Sequence, residues 1–186
     1  MNKTETATDA RERLRDGLNR YALKRGDFVL ASGKRSNFYI NGKELTLRGE
    51  YLRRIGELMW QLIAPLKPDA VAGMTLGADP MVSAITMIAA EQGADCPALI
   101  VRKEAKDHGT LRQIEGPFAS GMRVAVVEDV TTTGGSAKKA ADAIIAAGGT
   151  VAGVLTILNR EAGADQLFAE LGWPFHALFG MGDLDL

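Results

Sequence analysis

The stretch Met122–Ala147, MRVAVVEDVTTTGGSAKKAADAIIAA, decides how the rest of the chain is read. Met122 to Val127 is an apolar run of strand length, rich in valine. Glu128 to Gly135 is a polar loop, and Ser136 opens an alanine-rich helix that Gly148 and Gly149 stop. The same rhythm recurs on both sides. Ala70–Met74 is a strand, followed by a loop and a helix with Asp79 as N-cap, Pro80 as first residue, and Val82, Ile85 and Ala89 on its apolar face. Pro97–Val101 is the next strand. Beyond the quoted stretch come a strand at Val151–Leu158, a helix at Ala164–Leu171 and a strand at Phe175–Phe179. The alternation predicts an α/β protein with a mostly parallel central sheet flanked by helices on both faces. Ligands of such sheets bind outside the carboxyl ends of the strands. The loops after Gly73, Val101, Val127 and Leu158 are therefore the places to look for chemistry.

Residues 1 to about 65 do not share this rhythm. Thr8 or Asp9 can cap a helix, with Glu12 completing a capping box behind Asp9, and Leu14, Leu18 and Tyr21 recur at helical spacing until Gly26. Phe28–Leu30 and Asn37–Ile40 are strand-like runs flanking a tight loop, Ser32–Ser36. Leu52, Ile55, Met59 and Leu62 form the stripe of a second helix, closed by Pro65 and Pro68. We expect one domain of 186 residues, with a small N-terminal cap, or hood, over about 1–65 and an α/β core over about 66–186.

Composition excludes several functions. Lys plus Arg number 22 against 23 Asp plus Glu, a net charge of −1, which lacks the basic footprint of a nucleic-acid binder. The single cysteine, Cys96, rules out an internal disulfide framework and a multi-cysteine zinc site, and suits a small buried side chain. The N-terminal residues carry no apolar signal-peptide core, and no apolar run reaches membrane-span length. The expectation is a soluble cytoplasmic protein with no membrane partner. Glycine is in excess, 21 of 186 or about 11% against a usual ~7%, which fits either many tight turns or backbone that approaches a ligand closely.

The loop after Val127 has a specific chemistry. Carboxylates such as Glu128 and Asp129 at a strand's end can accept hydrogen bonds from sugar hydroxyls or sit beside a metal bound to them. Gly134 and Gly135 free backbone N–H groups to face a ligand, and Thr131, Thr132, Thr133 and Ser136 add hydroxyl donors. The helix N-terminus adds partial positive charge. Acids for the sugar and a cradle for the anion, a few residues apart, describe a ribose-5-phosphate site. The loop is neither GxxxxGK[ST] nor GxGxxG, which disfavours a P-loop kinase or a dinucleotide enzyme.

VAVVEDVTTTGGSA resembles the phosphoribosyl-pyrophosphate signature of the phosphoribosyltransferases. The resemblance implies that Glu128 and Asp129 contact the ribose hydroxyls, and that Val130, Thr131, Thr132, Thr133, Gly134, Gly135 and Ser136 hold the 5-phosphate. RKEAKDHG, Arg102 to Gly109, has a net charge of only +1, an ordinary value for a solvated loop. It is similar, however, to the mobile catalytic loop of the orotate-using branch of that family. There Arg102, Lys103, Lys106 and His108 match ligands of the phosphates and pyrophosphate, with Lys103 and Asp129 as the catalytic pair. That loop reaches into a neighbouring subunit's site, which implies a homodimer with shared active sites.

Shorter segments fit the same resemblance. Gly73–Pro80 looks like the family's pyrophosphate-binding loop. It lacks the lysine some relatives carry there, so cationic help is left to Lys43, Lys103 or Lys106. Ser32–Asn41 resembles the segment that covers the base, with Phe38 or Tyr39 stacking on a pyrimidine. Ala31 stands where some relatives have a lysine. Arg160, in Leu158–Glu161, matches the arginine that binds orotate's carboxylate, and Thr132 is a second orotate contact. Without the resemblance, Arg160 is equally a surface residue paired with Glu161. The implied substrates are orotate and 5-phospho-α-D-ribose 1-diphosphate (PRPP). The implied cofactor is Mg²⁺, held mainly by substrate oxygens, with Asp129 as the protein carboxylate open to it. Two alternatives stand beside this reading: transfer to another base, and a regulator that binds PRPP or a nucleotide without catalysis.

Overall fold

The computed structural model describes residues 6–29, 33, 35–104 and 113–186. The chain enters through helix α1 (Ala7–Gly17), which continues as a π-helical turn at Leu18–Ala22. Its cap is Thr6, not Thr8 or Asp9. The Asp9 N–H donates to Thr6 Oγ1 (3.1 Å) and the Thr6 N–H donates back to Asp9 Oδ2 (3.2 Å). Asp9 thus fills the acidic place of the capping box, which needs a carboxylate of either length. The helical segment ends at Ala22 rather than at Gly26. Gly26 falls within strand β1 (Leu23–Val29), which pairs antiparallel with β2 (Arg35–Ile40) and bulges between Arg25 and Phe28.

A short helix α2 (Lys43–Thr46) leads to α3 (Gly49–Ile63), whose Ile55, Met59, Trp60 and Ile63 are buried. The rest is β3 (Ala70–Met74), α4 (Asp79–Glu91), β4 (Ala98–Val101), β5 (Ile114–Glu115), β6 (Arg123–Thr131), α5 (Gly135–Ala146), β7 (Thr150–Asn159), α6 (Ala164–Glu170) and β8 (Phe175–Phe179). The cap of α4 is Ala78, and Asp79 instead accepts a hydrogen bond from Thr75 Oγ1 at 2.8 Å. Strand β6 runs four residues past Val127, so Glu128 to Thr131 belong to the sheet rather than to a loop; Glu128, Val130 and Thr131 pair with Thr156, Leu158 and Asn159. The polar stretch after Val101 also hides β5, a two-residue strand that returns antiparallel to β4.

The main sheet has the order β5-β4-β3-β6-β7-β8, parallel except for β5. Alternation along each strand splits the core in two. Val71, Ala125, Val127, Leu155 and Ile157 face Leu14, Leu18, Ile55, Met59 and Ile85. Ala72, Leu99, Val124, Val126 and Val154 face Ala140, Ala141, Ile144 and Phe168 of α5 and α6. The N-terminal helices therefore share one core with the sheet. Cys96 is buried beside this core, and burial pushes its thiol up to about 11, which keeps it inert. No helix among the described residues is long and apolar enough to cross a membrane.

The topology places the site. From β3 the chain moves outward to β4, whereas β6 lies on the other side of β3 and leads on to β7 and β8. Helix α4 packs on one face and α5 on the other. The connections leaving β3 and β6 thus part in opposite directions, which opens a crevice at their carboxyl ends, the switch point of an open sheet.

Candidate active site

Two loops meet at the switch point. Thr75–Ala78 leaves β3, and Thr132–Gly134 leaves β6 and enters α5. The second loop frames a cleft of about 320 Å³. Glu128, Val130, Thr132 and Thr133 line it from the strand side, Gly134, Gly135 and Ser136 from the helix start, and Lys139 from the next turn. Gly134 has a φ of +80°, and a Cβ there would lie 2.7 Å from the Phe168 ring. Both the left-handed turn and the closeness of α6 demand glycine. With no acidic residue in its own first turn, α5 presents its positive end to this cleft, where Glu128 of β6 is the neighbouring carboxylate.

The two acids do not act from one side. Glu128 and Asp129 are successive strand residues and project to opposite faces. Glu128 faces the α5 cleft and accepts a hydrogen bond from Thr131 Oγ1 at 2.8 Å. Burial pushes its carboxyl above the ordinary 4.5, and hydrogen bonds from Thr131 and Ser136 only partly oppose this. Asp129 lies on the other face, between two glycines. A Cβ on Gly42 would be 2.6 Å from Asp129 Oδ2, and a Cβ on Gly77 would be 2.7 Å from Oδ1. One of those glycines belongs to the N-terminal region and the other to the loop after β3. Thr131 is fully buried, with its hydroxyl committed to Glu128, whereas Thr132 and Thr133 line the cleft.

Arg160 follows β7, the neighbour of β6. Its N–H donates to Thr131 O at 2.8 Å, which ties it to the end of β6. Asn159 shapes the turn: its amide donates to Asp165 Oδ2 (2.8 Å) and its oxygen accepts the Glu161 N–H (2.9 Å). The Arg160 guanidinium carbon lies 5.5 Å from the centroid of the Phe38 ring. Tyr39 points the other way, and its ring pairs with Phe28 at 5.7 Å. Strand alternation thus brings Phe38, and not Tyr39, to Arg160. Glu161 gives its carboxylate to the Met181 N–H (3.2 Å), and no Arg160–Glu161 ion pair forms.

Arg102 and Lys103 lie at the end of β4, two strands or about 10 Å from β6. Both are exposed. Arg102 forms an exposed ion pair with Glu115 at 3.6 Å, a contact of the kind that contributes little and is easily given up. The Arg102 N–H donates to Gln113 O, and Gln113 Nε2 donates to Arg102 O, each at 2.9 Å. Lys106 and His108 fall outside the described residues, as do Ala31 and Lys34. Among the described residues, no group of three or more His, Cys, Asp or Glu could hold a metal by itself. The half-buried Asp129 suits Mg²⁺, which binds through one or two carboxylates and completes its shell with substrate oxygens.

Sequence reasoning missed two members of this arrangement. Lys139 could have been found from its spacing, one helical turn beyond Gly135 and Ser136. Gly42 had no signal, because its closeness to Asp129 arises only from tertiary packing.

Comparison with known proteins agrees with this geometry. Residues 42–168 match the family described as the phosphoribosyl transferase domain. The chain is 48% identical over 184 residues to the orotate phosphoribosyltransferase of Thermosynechococcus vestitus, covering 97% of this chain and 96% of that one. It is 45% identical over 182 residues to the corresponding enzyme of a Nostoc species, covering 97% and 88%. The orotate phosphoribosyltransferase of Mycobacterium tuberculosis, crystallised with Fe(III) dicitrate, superposes with a TM-score of 0.84 at 37% identity over 95% of this chain and 99% of that one. The same enzyme in complex with PRPP gives 0.77 at 34% identity, over 94% and 98%. With its switch-point cleft, paired acids and arginine, and with these relatives along nearly its whole length, the chain belongs to the orotate phosphoribosyltransferases of the phosphoribosyl transferase family.

Proposed function

We propose that the protein transfers the 5-phosphoribosyl group of PRPP to N1 of orotate, giving orotidine 5′-phosphate and pyrophosphate, a step in making UMP. One observation supports the reading: the cleft at the start of α5, the two acids of β6 and Arg160 facing Phe38 lie at the carboxyl ends of neighbouring strands. The cradle of Thr132 to Ser136 takes the 5-phosphate, whose oxygens accept from hydroxyls and freed N–H groups. Glu128 and Asp129, on opposite faces of β6, grip the ribose from two sides. Arg160 pairs with orotate's carboxylate in a bidentate, charge-assisted contact, with Phe38 covering the ring and Thr132 beside it.

Breaking the C1–oxygen bond to pyrophosphate builds positive charge on the ribose and negative charge on the leaving oxygens. The carboxylate of Asp129 offsets the first. Arg102, Lys103, Lys106 and His108 offset the second, as pre-placed cations do best in a site that excludes water. Arg102 exchanges its exposed partner Glu115 for the leaving group. Asp129 is the protein carboxylate that would hold Mg²⁺ together with donor oxygens, and the ion, when bound, would supply further charge neutralisation of the pyrophosphate. Orotate N1, held in line, forms the new bond to C1 as the C1–oxygen bond breaks, and its proton passes to the departing pyrophosphate. No covalent nucleophile of the protein is used. The N-terminal region serves as a hood over the base. The working form is a cytoplasmic homodimer in which cations of one subunit serve the cleft of the other.

The test is pyrophosphate release from PRPP. Release with orotate, and not with uracil or adenine, is the expected result. Release with another base selects a different transferase, and PRPP binding without release selects a regulator.

A further inference from the structure

Two adjacent lysines begin α5, and they do different things. Lys138 Nζ is held by Asp142 Oδ2 at 2.7 Å, an i,i+4 pair along the outside of the helix. Lys139 instead lines the cleft, one turn after Gly135 and Ser136. Side chains on a helix lean toward its N-terminus, so a lysine here carries its ammonium back over the turn where the N–H groups are exposed. The end of a helix that has no acid in its own first turn is a poor place for a cation unless an anion joins it there. An anion in the cleft removes the conflict. Of the eight lining residues only Glu128 and Lys139 bear a formal charge: the Glu128 carboxylate accepts from the Thr131 and Ser136 hydroxyls, and Lys139 is the one cation that lines the cleft.

We propose that Lys139 is a ligand of the donor's 5-phosphate, closing the side of the cradle that hydroxyls and backbone leave open. The assignment rests on the phosphoribosyltransferase reading above. It adds to the cradle a point charge that backbone donors cannot supply. It also makes binding of the dianionic phosphate sensitive to ionic strength.

The experiment is steady-state kinetics of the full chain and its variants with PRPP and orotate. Lys139→Gln raises KM for PRPP about tenfold, the loss of one charge-assisted contact. It leaves KM for orotate and kcat within about twofold, and it flattens the rise of PRPP KM between about 0.05 and 0.5 M salt. Lys139→Arg recovers most of the affinity. Lys138→Gln, which removes an equal charge held by Asp142, leaves PRPP KM unchanged. An unaltered PRPP KM in Lys139→Gln overturns the assignment, and so does an equal rise in Lys138→Gln, which reports only the general field of the helix. A wild-type chain that releases no pyrophosphate overturns the functional reading and this assignment together. An active wild type with an indifferent Lys139 overturns the assignment alone.

Discussion

Gly42 and Asp129, 87 positions apart, pack so closely that a Cβ on the glycine would lie 2.6 Å from the Oδ2 of the acid and 2.8 Å from its Cβ. The backbone of Gly42 is right-handed helical, φ −58° and ψ −28°, so alanine is conformationally acceptable there. Its cost falls on the carboxylate it displaces. Gly42→Ala lowers kcat about tenfold or more, since small misplacements of a reacting group are expensive. Gly49→Ala, with open space around it, leaves kcat as in the wild type. Steady-state rates of the two variants decide the matter; an unaffected kcat in Gly42→Ala shows that Asp129 tolerates displacement.

In the proposed reaction Arg160 pairs with the carboxylate of the base. Arg160→Ala raises KM for orotate about 10- to 100-fold, the range for losing a hydrogen-bonded charge pair, and changes KM for PRPP far less. Phe38→Leu weakens orotate more than Tyr39→Leu, because only Phe38 faces the guanidinium. Equal losses for both substrates count against a role in choosing the base.

Lys103→Ala cuts turnover by about 100-fold or more while the protein keeps its circular dichroism and melting temperature, as loss of one charge-stabilising donor does. Mixed with Asp129→Asn, which is inactive for a different reason, it regains part of the activity if subunits share sites. Absence of rescue, with subunit exchange demonstrated, assigns each site to one chain.

Glu128 gives a stability signature. Burial raises its carboxyl above the ordinary 4.5 of the unfolded chain. The folded state therefore holds this proton more tightly, so the group favours folding below about pH 4.5 and loses that contribution as pH rises through its folded value. Glu128→Gln, neutral at every pH, should melt higher than wild type at neutral pH, with the gain shrinking as pH falls toward 4.5. Thermal unfolding at several pH values tests the sign. The same variant should bind PRPP poorly, a trade of function against stability.

Much of this molecule was legible in its residues, for reasons that differ by element. Strands β3, β6 and β7 lie in the middle of the sheet, covered on both faces, so they appear as runs of apolar residues. Strand β5 escaped because Ile114–Glu115 has no pattern of its own and exists only through pairing with β4. Residue patterning ends β6 too early because Glu128 and Asp129 look like loop residues, while the ladder with β7 carries them out to the site. That extension has chemical consequences, since only a strand sends consecutive acids to opposite faces. The choice between Phe38 and Tyr39 likewise needed the hairpin's orientation.

The paired ends of the segment after β4 have a geometric consequence. Arg102 and Gln113 are laced together by two hydrogen bonds of 2.9 Å, and β5 stitches the returning chain to the sheet edge. The chain thus leaves the sheet and returns to it at one point, at the carboxyl end of β4, two strands from β6. A dimer in which the cations that follow β4 serve another subunit's cleft must therefore bring this point of one subunit up to the cleft of the other, a criterion that a dimer geometry either meets or fails.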